Sequence, residues 1–511
     1  MATVWTNVRN PAARQVGRAA GAQVEVLYRL GFHVPTFGHI LGFSAILLCM
    51  TPLVSALPLD YSVTVGACVS FLSLVVLFPL SLRAKGGTRG FPATPFVLLN
   101  FVYFVAATVV PLAYPHLKVI NISFEAIPLA LLILCLGFLC FDIGIVFAGR
   151  LPRLLPPESL GVKRVRGLGV LFAVLATVLW GLRVFLAANG LGIAHATYLL
   201  SLGWEIRQLA VVSNSLAFVP LCLCLARLAC KASSKAELHG WQRRAIWVMA
   251  ADLAYYLWAG ARLPLLWEVL VVAWCAWLRL IPPFPRRKTL VLGICLVIAM
   301  PIVYAQRGAL RYVAPQAGED QVALTRGYLL REQKQVMSSS FVETLEEGLD
   351  ADSGRLTAIG PFSAVVNALF NRNFPLMWGE TWREELPVLV PHLLWPAKPV
   401  PRNIDAVIDG HFNLPGDDDL TTCETELLAN LGVLGLCAGM LLFGVLTEGV
   451  LSCLVRNAGA SEPVTACVLC SLPVLFLVEA DTTGMLAGLR ILPVLWLVLS
   501  ALAVRRPVTQ V

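Results

Sequence analysis

The sequence predicts an all-α polytopic membrane protein with about twelve transmembrane helices and one large extracytoplasmic loop. Three observations predict it. Of 511 residues, 58% are hydrophobic and only 14% charged, with a mean hydropathy of +0.76, whereas a soluble domain carries about 25% charged residues. Apolar segments recur along the chain, and a helix needs about 20 such residues to cross a bilayer. One long interruption, about 120 residues between Gln306 and Glu426, divides two groups of these segments.

The twelve segments begin near Phe37, Ser62, Pro95, Glu125, Leu168, Leu209, Ala245, Leu263, Thr289, Leu427, Val464 and Met485. Charge orients them. One set of connections carries Arg83, Lys85, Arg89, Arg150, Arg153, Lys163, Arg164 and Arg166, then Arg227, Lys231, Arg243, Arg244, Arg286, Arg287 and Lys288. The same side holds Arg9, Arg14, Arg18 and Arg29 at one terminus and Arg505 and Arg506 at the other. The short loops of the opposite side hold little beyond Lys118, Arg207 and Arg262. Lys and Arg collect at cytoplasmic ends, so both termini are expected inside and the long loop outside. The expected divisions are a cytoplasmic segment 1–36, helices one to nine in 37–306, the loop domain 307–426, helices ten to twelve in 427–503 and a tail 504–511.

The net charge of +8 is therefore read as a topology signal, and no nucleic-acid partner is expected. The 14 cysteines lie mostly in apolar segments, as do Cys135, Cys140, Cys222 and Cys224, with Cys423 in the loop. That spacing fits neither a disulfide framework nor a metal site. Residues 1–36 lack the apolar core of a cleavable signal peptide. The two halves show no internal repeat, which counts against transporter folds built from symmetric halves.

A loop of this length is too long to be a mere connector. Its first part, Glu319 to Asp352, reads as a surface helix. Ile359 to Phe370 is apolar, is interrupted by Gly360-Pro361, and is too short to span. Trp378, Trp382 and Trp395 suit the headgroup level or a sugar-stacking platform.

Arginines are the first chemical candidates. Arg307 and Arg311 sit four apart, share a helix face if the ninth helix continues, and match pyrophosphate oxygens or snorkel to the interface. Arg262 lies at a tight outer turn where positive-inside statistics give it no advantage, which favours anion binding. Arg372 and Arg383 are further cations of the loop. For a general base the loop offers Glu380, Glu384, Glu385, His392, Asp409 and His411. Glu426, at the mouth of the tenth helix, suits capping or orienting an arginine or hydroxyl. Asp252 and Glu268 fall within spans, where acids are functional or paired with arginine. No phosphate-binding Gly-rich loop, zinc-protease motif or nucleophile elbow occurs. An outward site has no nucleotide supply, so its substrate must arrive already activated, as a polyprenyl-linked compound does.

Three stretches resemble a known family. They are Gly260-Ala261-Arg262 opening an apolar helix, Gly379-Glu380-Thr381-Trp382 with Pro391-His392-Leu393-Leu394-Trp395-Pro396-Ala397-Lys398-Pro399, and Glu426-Leu427-Leu428-Ala429-Asn430-Leu431-Gly432. Together they resemble the Wzy-type O-antigen and exopolysaccharide repeat-unit polymerases, best over the C-terminal half. His392 stands where that pattern often has Arg, and Trp382 where Tyr is common. The resemblance implies a GT-C-like fold in the bacterial inner membrane. It implies a metal-independent glycosyltransferase without cofactors, acting on undecaprenyl-pyrophosphate-linked oligosaccharides. Its surroundings would be membrane lipids and a flippase and chain-length regulator of the same pathway. Glu380, then His392, would act as base. Arg262, Arg307 and Arg311, with Arg372 and Arg383 in reserve, would hold the pyrophosphate, while Trp382 and Glu426 would contact glycan. Asn430, Gly432 and Gly435 would shape the helix start. The alternatives are an O-antigen ligase-like transferase, which His392 and His411 suit, and a polysaccharide flippase or transporter. A transferase of single sugars from polyprenyl phosphate is disfavoured, because the first outer loop has only Asp60 as an acid.

Overall fold

The computed structural model of the protein describes residues 123–148, 162–188, 209, 212–213, 216–230, 235–259, 262–277, 280–281, 359–390, 395, 399, 402, 404–414, 421–457, 461–475 and 491–506. These are mostly helical. In chain order they form α1 (Ile127–Ala148), β1 (Val162–Val165), α2 (Leu168–Ala188), α3 (Val219–Ala229), α4 (Lys235–Ala259), α5 (Arg262–Trp277), α6 (Ile359–Phe370), α7 (Glu380–Leu389), α8 (Ile404–Phe412), α9 (Cys423–Asn457), α10 (Glu462–Leu475), α11 (Ile491–Ala501) and β2 (Ala503–Arg506). The segments expected from Phe37, Ser62, Pro95 and Thr289, and the surface helix expected at 319–352, lie outside the described residues.

Two described helices are long and apolar enough to cross a bilayer, over Leu168–Leu186 and Cys423–Val450. The first shows how. Val170, Val174 and Val178 form an exposed stripe at helical spacing, with Val184 and Phe185 beyond it, while Arg183 is 1% exposed. A helix in water hides its apolar stripe and exposes its charges. Here the order is inverted, as it is for a helix solvated by lipid. Leu434, Leu442 and Leu446 are likewise exposed along α9.

Helix α4 starts ten residues before the expected Ala245 because its first turns, Lys235 to Arg244, are a polar helix continuous with the apolar one. Helix α9 starts at Cys423 rather than Leu427, since Thr422 caps it: the Thr425 N–H donates to Thr422 Oγ1 at 3.2 Å. In α6 the Gly360-Pro361 pair does not interrupt the helix. It occupies the first turn, where the missing proline N–H would have had no partner.

Helices α1 and α9 run parallel. Gly137 faces Leu436, Gly144 faces Leu441 and Val445, and the Phe141 and Phe443 rings lie 5.9 Å apart. A Cβ at Gly144 would fall on the Leu441 backbone carbonyl, so glycine sets the interhelical distance there. At one end of the pair, α6 is pinned by Ser123 N–H to Ser363 Oγ (3.3 Å) and Asn367 Nδ2 to Ser123 Oγ (3.3 Å).

At the other end a small sheet departs from the all-helical expectation. β1 pairs antiparallel with β2, and the Arg166 N–H closes it onto the Leu502 carbonyl at 2.8 Å. Neither strand, Val-Lys-Arg-Val or Ala-Val-Arg-Arg, carries a period-2 pattern, so pairing with its partner makes each one a strand. Beneath it Glu462 accepts the Val165 N–H at 2.7 Å and pairs with Arg227, which also holds Glu237. The ends of α3 and α11 and the starts of α2, α4 and α10 therefore gather on one side.

Gly144→Ala should push α1 from α9 and cost about 1–3 kcal/mol. Gly181→Ala, whose Cβ would meet open space, should gain about 0.5–1 kcal/mol. Thermal unfolding of the detergent-purified protein checks both: Tm falls for the first and holds or rises for the second.

Candidate functional site

The site begins with a break in α9. Gly432 has φ 67° and ψ −161°, a conformation open essentially to glycine alone. Such a break leaves the carbonyls of the preceding turn without their helical partners. The loop segment supplies substitutes. The Met377 N–H donates to the Ala429 carbonyl at 3.1 Å and the Trp378 N–H to the Asn430 carbonyl at 3.0 Å.

The segment bends sharply to do so. Trp378 and Gly379 are both left-handed, with φ 52° and 85°. For tryptophan that conformation costs about 1–2 kcal/mol. Asn430 holds the bend. Its Oδ1 accepts the Gly379 N–H at 3.0 Å, and its Nδ2 donates to Thr381 Oγ1 at 2.7 Å and to the Glu426 carbonyl at 2.9 Å. The Thr381 hydroxyl donates to Glu426 Oε1 at 2.6 Å. Thr381, Glu426 and Asn430 are all fully buried. Trp382 lies over Gly379, where its ring would be 3.3 Å from an added Cβ.

Helix α7 leaves this knot with Glu380, Arg383 and Glu384 partly in water and Glu385 buried. Glu380 Oε2 lies 3.8 Å from His411 Nδ1, and Arg402 lies 3.6 Å from Glu380 and 2.7 Å from Glu384. His411 Nε2 sits 2.9 Å from the Pro375 carbonyl. A carbonyl only accepts, so Nε2 carries the hydrogen and, in the neutral ring, Nδ1 turns its lone pair toward Glu380. The Arg402 guanidinium beside Glu384 holds that carboxyl below its ordinary value.

The structure thus brings Glu380, Trp382 and Glu426 into one assembly, with Arg383 on the exposed side of α7. Glu426 is turned inward to Thr381, with no exposure to a ligand. Arg372 is exposed and stacks on Phe374 at 4.6 Å, apart from this knot. Arg262 is the first residue of α5, and α4 ends at Ala259. Arg307, Arg311 and His392 lie outside the described residues.

Two groups were not singled out from the sequence. Arg402 follows the proline-rich stretch 396–401 in sequence and carries no local signal of its contact with α7. Arg183 is the second. It pairs with Asp252, donates to Tyr256 Oη at 2.7 Å, and lies 4.6 Å from the Tyr255 ring and 5.3 Å from the Trp180 ring. Glu268 from α5 abuts Asp252. The intramembrane acids announced this cluster, and an arginine in the middle of an apolar span was the missing sign. Among the described residues no group of His, Cys, Asp and Glu has the arrangement of a metal site.

The fold and site define a helical chain of membrane-spanning character with a polar knot at one end of its parallel helix pair. Comparisons with protein-family models, with curated proteins and with solved structures find no match.

Thr381→Val should leave Glu426 and Asn430 short of a buried partner and cost about 1–3 kcal/mol, with Thr381→Ser near wild type. Melting temperatures decide it. The Glu384–Arg402 contact predicts a pH effect. Its stabilisation is fully present above the ordinary glutamate range of about 4.3 and is lost as pH falls through the depressed value. Arg402→Gln should therefore lower Tm at neutral pH, with the gap to wild type closing below about pH 4.

Proposed function

We propose that this chain is a glycosyltransferase of the bacterial inner membrane, with about twelve spans, both termini cytoplasmic and a GT-C-like layout. It joins undecaprenyl-pyrophosphate-linked repeat units into a long surface polysaccharide on the outer face. One observation carries the reading. The two segments that resemble the polymerase family, Gly379–Trp382 and Glu426–Gly432, are far apart in sequence yet knotted through Thr381, Glu426 and Asn430. The gathering of Arg227, β1 and β2 on one side and of α6 and α7 on the other supports the inside–outside division.

In this reaction the acceptor hydroxyl oxygen bonds to the anomeric carbon of the donor glycan. The bond from that carbon to the phosphate oxygen breaks, and undecaprenyl pyrophosphate leaves with the electron pair. Glu380 takes the hydroxyl proton, with His411 Nδ1 facing the same gap. Arg262, Arg307 and Arg311, with Arg372 and Arg383 behind them, offset the charge that develops on the leaving group. Trp382 offers a ring for a sugar face. His411 beside Glu380 also favours a second reading, transfer of finished glycan to another acceptor by a ligase of similar layout.

Deletion of the protein, Glu380→Gln and Arg262→Ala should each leave single repeat units on the outer-leaflet carrier and abolish long chains. A mass profile of lipid-linked glycans reads this. Full-length chains that stay on the carrier would turn the reading to a ligase, and units trapped in the inner leaflet would turn it to a flippase.

A further inference from the structure

Three helices meet at a cluster whose charges do not balance. Arg183 of α2 pairs with Asp252 of α4 and donates to Tyr256 Oη at 2.7 Å. Glu268 of α5 abuts Asp252, and both acids act on the guanidinium. Arg183, Asp252 and Glu268 are 1%, 0% and 0% exposed. The other groups that face the acids are neutral. They are Tyr255 and Tyr256 on α4 and Cys222 from α3, with Cys275 of α5 and Cys470 of α10 behind Cys222. Among the described residues Arg183 is the one cation at the pair. With both carboxyls ionised, the cluster would hold a net negative charge away from water, which buried groups avoid by pairing or by taking a proton.

The hydrogen bonds show a matching gap. Asp252 Oδ1 takes the guanidinium, but Asp252 Oδ2 and both Glu268 oxygens are buried without accepting a hydrogen bond. Carboxylates only accept, so two of them in contact have nothing to exchange. A carboxylic acid and a carboxylate do, through one O–H···O bond. A single hydrogen ion closes both gaps: it brings the cluster to neutrality and supplies the missing donor, as in carboxyl pairs that share one proton. We propose that Asp252 and Glu268 form a proton-binding site, with Glu268 as the acid that donates to Asp252 Oδ2. At 1.5 Å per residue, Asp252 lies about 10 Å before the end of α4 at Ala259, and Glu268 about 10 Å past the start of α5 at Arg262. The shared proton therefore bonds α4 to α5 about two helical turns from the end that carries Arg262. This rests on the membrane-spanning character of the chain and not on the glycosyl-transfer chemistry.

The test is infrared spectroscopy of the full-length protein in detergent at neutral pH. A protonated carboxyl shows a carbonyl stretch that carboxylates lack and that moves down in heavy water. Difference spectra against variants subtract the other buried acids. Wild type minus Glu268→Gln should show one carboxylic-acid band. Wild type minus Asp252→Asn should show the same band, because Glu268 then gives up its proton to become the counterion of Arg183. Glu268→Gln should melt at or above the wild-type temperature, since its amide donates to Asp252 Oδ2 without a proton. Absence of the band from the first spectrum, its survival in Asp252→Asn, or a Glu268→Gln variant that melts below wild type overturns the proposal. Loss of the wild-type band on adding sodium chloride at constant pH also overturns it, by making the pair a site for an alkali cation. Should Asp252→Asn fail to fold, the first spectrum and its shift in heavy water decide alone. No glycan enters the assay, so failure of the polymerase reading leaves its outcome untouched.

Discussion

The local structure of the site depends on the side chain of Asn430 and its place beside a helix break. An unbroken α9 would use the carbonyls of Ala429 and Asn430 for its own ladder. Gly432 prevents that, and the N–H groups of Met377 and Trp378 take the vacated acceptors. Asn430 then satisfies the bend it has helped to make, with its oxygen toward Gly379 and its amide toward Thr381 and Glu426. Each of these groups is buried, and an unmet buried polar group costs about 1–3 kcal/mol. The knot is therefore close to all-or-none. It fixes where α7 starts and so where Glu380 stands relative to His411.

The same accounting governs the helices around it. Where the solvent is hydrocarbon, apolar side chains gain nothing from turning inward and charged ones must do so. Arg183 is enclosed by Asp252, Tyr256 and the rings of Trp180 and Tyr255, while valines of the same helix face outward. With no hydrophobic force between spans, close packing holds them, and small residues set the approach. Gly137 and Gly144 let α9 lie along α1, and α1 carries α6 at the end where α9 breaks.

Among the described residues, helices were legible because hydrocarbon leaves a long, simple signature. The starts expected at Leu168 and Leu263 fall on or next to the helices found there. Helix α4 ends at Ala259 and α5 starts at Arg262, on either side of the turn expected there. Helix extensions beyond the apolar stretch, as at Lys235 and Cys423, were not legible, since polar helix turns outside a span carry no hydropathy signal. The strands escaped notice because four residues are too few for a periodicity. At the site, resemblance marked Glu380, Trp382 and Glu426 without showing that Glu426 faces Thr381 across 45 residues. Pairings of that range leave no trace in local pattern, and the Arg402 contact with α7 is another.

The central claim is that the Asn430 knot holds Glu380 where a glycan hydroxyl is deprotonated. Its most direct measurement is chain elongation by the purified protein in lipid nanodiscs, supplied with a defined undecaprenyl-pyrophosphate-linked repeat unit, with wild type beside Asn430→Ala. The account predicts a ladder of lengthened glycans and release of undecaprenyl pyrophosphate from wild type. It predicts that the variant, still folded and still binding the lipid-linked unit, returns it unchanged. Elongation by Asn430→Ala at the wild-type rate would contradict it.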